Sequence, residues 1–138
     1  MKVLLDTNVV LDAIASREPF CHDAQRIINL ILDSRLEGYI TANSTTDIYY
    51  IARKHLNQND LHKTMHSLFA IFSIIDVLSS DCHKALDFPL DDYEDALIQV
   101  CSDRAVTDCI ISRDKEFLEK AKHPVPVISP ADFLRNEL

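Results

Sequence analysis

The sequence predicts an α/β domain, a three-layer sandwich in which a mainly parallel sheet of about five strands carries helices on both faces. Three observations predict it. Short apolar runs alternate along the chain with longer stretches whose apolar residues recur at helical spacing. The first run, Val3-Leu4-Leu5, is continuous rather than alternating, as in a strand covered on both faces. The 138 residues contain no repeats or linker-like tracts, so a single domain spanning 1–138 with a substantial core is expected.

Taken in order, the opening strand runs into Asp6, Thr7 and Asn8. A strand that starts this early is expected at the centre of the sheet, since later elements can add on either side. Val9 to Ala15 reads as a short helix, and Pro19 suits the first turn of a longer one. Ala24, Ile27, Ile28, Ile31 and Leu32 mark the apolar face of that second helix, with Gly38 as its stop. Tyr39-Ile40-Thr41 is the expected second strand. Ser44-Thr45-Thr46-Asp47 has the form of a capping box and opens a helix bearing Ile48, Ile51 and Ala52. Leu61, Met65, Leu68, Phe69 and Phe72 mark the next helix, and Ile74 to Leu78 the third strand. Ser80-Asp81 caps a short helix that breaks at Pro89. Asp92-Tyr93-Glu94-Asp95 opens another, with Tyr93, Ala96, Leu97, Val100 and Cys101 as its buried stripe. Cys109 to Ser112 is the fourth strand, and Arg113-Asp114 starts a short helix. Val125 to Ile128 is a fifth strand, placed at an edge by Pro126. Ser129-Pro130-Ala131-Asp132 starts a C-terminal helix.

Composition removes several function classes. The single glycine, Gly38, excludes a dinucleotide-binding fingerprint and a P-loop, which need several. A net charge of -8 disfavours nucleic-acid binding through the overall field, but not a local site where metal ions supply the positive charge. No apolar run approaches the length of a membrane span, and no secretory signal is expected. Four cysteines without CxxC spacing fit a reduced, cytoplasmic protein.

Four acids occupy equivalent places. Asp6 follows strand one, Asp47 lies in the first helical turn after strand two, and Asp114 follows strand four. If the strands are parallel, these three share the edge where α/β sheets bind ligands. Asp95 joins them if its helix starts at that edge, which the sequence leaves open. Each acid also has a local reading as a helix-capping residue. Together they favour a cation, because convergent carboxylates repel and raise one another's pKa. Oxygen ligands without His or Cys suit Mg²⁺ or Mn²⁺.

The pieces Val3-Leu4-Leu5-Asp6-Thr7-Asn8, Ser44-Thr45-Thr46-Asp47, Glu94-Asp95-Ala96-Leu97 and Ile111-Ser112-Arg113-Asp114-Lys115-Glu116-Phe117 make the chain resemble the PIN-domain family from end to end. Its flavour is that of the toxin-like, VapC-type ribonucleases. The resemblance implies a Mg²⁺- or Mn²⁺-dependent endoribonuclease with an RNA substrate, a small antitoxin partner and a homodimer. It places catalytic and metal-binding roles on Asp6, Asp47, Asp95 and Asp114, with Asn8 and Ser112 supporting them. Many members carry Glu where this chain has Asp47. The shorter side chain would act through a water, and Asp92 and Glu94 are further acids able to assist. Arg113 and Lys115 are candidates for phosphate contacts.

Two other functions match parts of this pattern. A phosphotransfer domain working through an aspartyl phosphate would use Asp6, yet Asn8 stands where a haloacid-dehalogenase-type site wants a second Asp. A non-catalytic PIN-like module for RNA or protein would not need all four acids. His62 and His66 are spaced to share a helix face, but Lys63 stands in place of the Glu of a zinc-protease motif. Cys21-His22 and Cys82-His83 read as core and surface neighbours, and of Tyr49 and Tyr50 one is expected in the core.

Overall fold

In a computed structural model that describes residues 1–120 and 124–136, five parallel strands lie in the order β3-β2-β1-β4-β5. They are β1 (Lys2–Leu5), β2 (Glu37–Thr41), β3 (Phe72–Ile75), β4 (Cys109–Ile111) and β5 (Val127–Ile128). The first strand is central, as its position in the chain predicts. Val3 pairs with Gly38 on one side and with Cys109 on the other. The strand order reverses between β1 and β4, and an α/β sheet opens its ligand crevice at such a point.

Eight helices cover the sheet among the described residues. They are α1 (Thr7–Ile14), α2 (Cys21–Leu32), α3 (Ser44–Ala52), α4 (Gln58–Ile71), α5 (Ser79–Asp87), α6 (Tyr93–Arg104), α7 (Lys115–Lys120) and α8 (Pro130–Asn136). Strand side chains alternate between two cores. Val3, Leu5 and Ile111 pack with apolar residues of α1 to α4 and α8, whereas Leu4 and Ile110 pack with those of α5 to α7. Hence the layers: helices, sheet, helices. No described helix is long and apolar enough to cross a membrane.

Several boundaries differ from the sequence reading. The second helix begins at Cys21 with Phe20 at its N-cap, so Pro19 lies outside it. It stops through Ser34, whose φ of 58° turns the chain and lets Arg35 N–H reach the carbonyl of Leu30. Gly38 therefore does not stop it and lies within β2. A Cβ there would come 2.7 Å from Ile31 Cδ1 and 2.9 Å from Phe72 Cδ1, so its value is close helix–strand packing. The Ser44 capping box does not form. Its hydroxyl pairs with that of Thr41 at 2.8 Å, and Asn43 at the N-cap makes no side-chain capping bond. The third strand begins at Phe72 and ends at Ile75, two and three residues earlier than expected, because the parallel ladder pairs Gly38 with Phe72 and Thr41 with Ile75. The fourth strand stops at Ile111, one residue short, and β5 keeps only its last two expected residues. Tyr93 is 43% exposed rather than part of a buried stripe, with its hydroxyl donating to the carbonyl of Cys82. Instead α6 is buried on all sides from Asp95 to Ser102.

Candidate active site

Asp6 leaves β1 as the N-cap of α1, and its extended backbone aims the carboxylate past the sheet edge. Its amide donates to the carbonyl of Ile111, which ties the end of β1 to that of β4. One oxygen, Oδ1, accepts the Thr7 N–H at 2.8 Å; the other, Oδ2, accepts the Ser112 hydroxyl at 2.8 Å. Asn8 Nδ2 lies 3.4 Å from Asp6 Oδ2 and 3.5 Å from Ser112 Oγ. Its own Oδ1 receives the Arg113 N–H at 3.4 Å. Asn8 and Ser112 thus hold the first acid in place. The capping role and the site role of Asp6 are carried by the same carboxylate.

The other acids arrive from three more elements. Asp114 follows β4, where its N–H donates to Ser112 Oγ and its Oδ1 caps the Glu116 amide at the start of α7. Asp47 projects from the first turn of α3 and is exposed. Asp95 sits in the first turn of α6, and its amide is capped by Asp92 Oδ1 at 3.0 Å. Asp92, not Asp95, is therefore the capping acid of this helix, which leaves the Asp95 carboxylate unused by the cap. The sequence left the direction of this helix open; its N-terminal turn brings Asp95 to the other three.

All four acids line one open cleft of about 350 Å³, together with Asn8, Asp92 and Glu94. Ser112 lies behind Asp6 and is fully buried. Lys115 is exposed at the start of α7 and does not line the cleft. Burial raises the pKa of Asp6, with Asp114 and Asp92 adding repulsion against its hydrogen bonds. Burial and four neighbouring acids, Asp92 first, push Asp95 up to about 7. Desolvation also raises Glu94, helped by the nearby charge of Asp47. The hydroxyl of Thr7, at the same cleft, is buried with no hydrogen-bond partner.

This donor set fits a divalent cation. It offers hard oxygens, carboxyls driven toward protonation and an unpartnered buried hydroxyl beside them. Among the described residues, the group whose ligand atoms all lie within 4.8 Å of one another is elsewhere: Glu18, Cys21 and His22. There His22 Nε2 already meets Glu18 Oε2 at 3.0 Å, with Cys21 buried and His22 exposed as expected. The cleft acids stand further apart, so an ion among them would keep some of its waters, as Mg²⁺ commonly does.

Sequence reasoning missed two residues here, Asp12 and Arg17, although it named Arg113. Asp12 on α1 is 1% exposed and accepts from both Arg17 and Arg113, and both arginines line the cleft. The signal was present as an acid inside the apolar run Val9-Val10-Leu11-Asp12-Ala13, since a buried carboxylate requires a partner. His62 and His66 are exposed on α4, as expected. Tyr49 packs partly against the core, while Tyr50 is 54% exposed.

Comparison with known proteins bears on the fold. The chain is similar to a chain of the VapBC2 assembly from Rickettsia felis, a structure bound to a DNA fragment from the promoter. Identity is 14% over 94% of this chain and 98% of that one, with a TM-score of 0.69. A chain of a toxin–antitoxin complex from Klebsiella pneumoniae aligns at 19% identity over 93% and 97%, TM-score 0.68. A chain of FitAcB from Neisseria gonorrhoeae aligns at 17% over 94% and 98%, TM-score 0.63. At these identities the likeness is one of fold. No curated protein matches the sequence. The PIN-domain family model matches residues 2–116, a stretch that contains Asp6, Asp47, Asp95 and Asp114. The chain belongs to the PIN-domain family.

Proposed function

We propose that this chain is a divalent-metal-dependent endoribonuclease that hydrolyses RNA phosphodiester bonds in the cytoplasm, as the toxin of a toxin–antitoxin pair. The observation that carries it is the convergence of Asp6, Asp47, Asp95 and Asp114, from four separate elements, on one cleft where Asp95 is pushed up to about 7. Without a cation that arrangement is unfavourable, and with one it is a site.

Asp6, Asp95 and Asp114 would hold Mg²⁺ or Mn²⁺ directly, and Asp47 through a water. A divalent ion, when bound, lowers the pKa of a coordinated water and neutralises charge on the phosphate. The chain's own residues do the remaining work. Ser112 and the Thr7 amide fix both oxygens of Asp6, and Asn8 braces the pair. Asp92 and Glu94 keep the cleft anionic and assist the ligand set. Arg113, which lines the cleft, would meet phosphate there, and the exposed Lys115 would meet it further along the strand.

Asp6→Asn keeps the volume and removes one anionic ligand. It is expected to abolish Mg²⁺- or Mn²⁺-dependent cleavage of a labelled RNA while the circular dichroism spectrum is unchanged. Wild-type cleavage by this variant, or cleavage that persists in excess EDTA, would sink the metal mechanism. The alternative, a PIN-fold module that binds RNA or protein without cutting, predicts binding and no cleavage in the same assay. An aspartyl phosphate on Asp6 is disfavoured, because no lysine lines the cleft among the described residues.

The likeness to chains of toxin–antitoxin complexes supports a small antitoxin as partner; a homodimer is proposed from the family resemblance alone. A monomer mass in solution at high concentration would count against the dimer.

A further inference from the structure

Two arginines stand on the wall of the acid cleft, and neither is free to swing. Arg17 Nε donates to Asp12 Oδ1 at 2.8 Å, and its Nη2 donates to the carbonyl of Asn8 at 3.1 Å. Arg113 grips the same carboxylate with two nitrogens, Nε to Oδ2 at 2.5 Å and Nη2 to Oδ1 at 3.0 Å. The ring of Phe20 lies 4.1 Å from the Arg113 guanidinium and covers it. Asp12 is 1% exposed, whereas the two arginine side chains keep 32% and 31% of their surface open.

A buried carboxylate requires one cation, and this one has two. Asp12 neutralises a single charge, so the pair retains about one net positive charge at the cleft. The other ionisable groups lining that cleft are all carboxylates: Asp6, Asp47, Asp92, Glu94, Asp95 and Asp114. Each guanidinium has five N–H donors, and the Nη1 groups take no part in the contacts above. A planar donor set locked beside an acidic site matches the geometry of a phosphodiester oxygen pair better than a flexible lysine would. Locking it beforehand also lowers the entropy lost on binding.

We propose that Arg17 and Arg113, held by Asp12, form a phosphate-binding rim that grips the RNA backbone beside the bond to be cut. Asp12 is a positioning residue that touches no substrate. The nature of the ligand rests on the ribonuclease reading; the rim itself rests on the ion-pair geometry.

The test uses the full chain carrying Asp6→Asn, so that a fluorescent single-stranded RNA is bound but not cut. Its affinity is measured by anisotropy in Mg²⁺ across a series of salt concentrations. Arg17→Gln and Arg113→Gln, each added to that background, are expected to weaken binding ~tenfold and to reduce the log–log salt slope by about 0.7. Lys54→Gln, at an exposed lysine outside the cleft, is expected to change neither. Arg17→Lys guards against misfolding of the glutamine variants: it should keep the slope and still lose affinity, because the charge remains and the fork does not. Unchanged affinity and slope in folded Arg17→Gln and Arg113→Gln proteins overturn the rim. So does an acidic peptide whose binding needs both arginines while RNA binding does not, since that assigns the pair to a protein partner. If both variants lose slope and wild type never cuts RNA, the rim stands and the nuclease reading falls.

Discussion

Asp81 and Asp95 are both buried aspartates packed at the two ends of one helix, and they meet opposite surroundings. Asp81 is 1% exposed and faces Arg104 in the last turn of α6. Arg104 Nε lies 3.0 Å from Oδ1 and Nη2 lies 2.8 Å from Oδ2, a two-pronged pair, and the Leu78 amide adds a third donor at 2.8 Å. The Arg104 hydrogen bonds outweigh burial and hold the Asp81 carboxyl below its usual range. Asp95, roughly 14 Å from Arg104 by helical rise, is 8% exposed and has no ion pair among the described residues. Its neighbours are acids, so burial and repulsion act in the same direction. A fold that builds a complete partner shell for one buried carboxylate and assembles like charges around the other fits the proposal that the second serves a ligand. On that proposal, the counter-ion that Asp81 finds in Arg104 comes to Asp95 from solution.

The largest expected effect comes from supplying that ion. Mn²⁺ at a hundredfold excess over Kd should stabilise the wild type by about 2.7 kcal/mol through preferential binding to the folded state. Asp95→Asn should gain clearly less, while Asp81→Asn should gain as much as wild type. Thermal melts of the three proteins with EDTA and with Mn²⁺ measure this. Equal shifts in all three would remove Asp95 from the metal site and erase the contrast between the two aspartates.

The next effect is the reverse substitution in stability. Asp81→Asn leaves Arg104 without its partner and should cost about 2 kcal/mol. That is below the range for a fully enclosed pair, because Arg104 is 35% exposed and water can serve it. Asp95→Asn in EDTA should cost nothing or stabilise, since it removes a charge from a repelling cluster. If instead it loses on the order of 1 kcal/mol, as removing a helix cap would, Asp95 serves α6 and not the cleft. Urea unfolding at neutral pH decides between these.

The site was more legible in the sequence than the shell around it. Asp6, Asp47 and Asp114 each follow a strand within a few residues, so a short local pattern and the rule of parallel sheets bring them together. Asp95 needed the direction of α6, which no local pattern carries. The Asp12–Arg113 pair joins residues 101 apart in the chain and leaves no trace in periodicity. Helix α6 shows why stripes can mislead. Gln99 and Ser102 lie outside the expected apolar stripe, yet both are fully buried. Gln99 is satisfied by the backbone of Val125, donating to its carbonyl at 2.9 Å, and the Ser102 hydroxyl by Thr107. Pairing geometry, not composition, moved β3 back to Phe72, where the ring sits against Gly38.

The smallest expected effect is the slope of stability with pH, and it separates the two aspartates without any metal. Asp95 has a folded pKa of about 7 against an ordinary 3.8. Between those values the folded protein holds a proton that the unfolded chain has released. Unfolding free energy therefore falls as pH rises from about 4 to about 7, then levels off. For Asp81 the sign is opposite and the window differs. Its lowered pKa contributes stability that is present above about pH 4 and lost as pH falls through the folded value. Across the window from about 4 to 7, Asp81 should thus be flat while Asp95 slopes. In EDTA the share of this loss due to Asp95 should be less than about 1 kcal/mol per pH unit. One proton gives at most ~1.4, and the cleft is open to water. Asp95→Asn should show a shallower profile, with a remainder from Asp6 and Glu94, which are raised as well. Asp81→Asn should run parallel to wild type at lower stability. Parallel profiles for wild type and Asp95→Asn would mean that Asp95 releases its proton near its ordinary pKa, and the repulsion that makes the cleft a cation site would be absent.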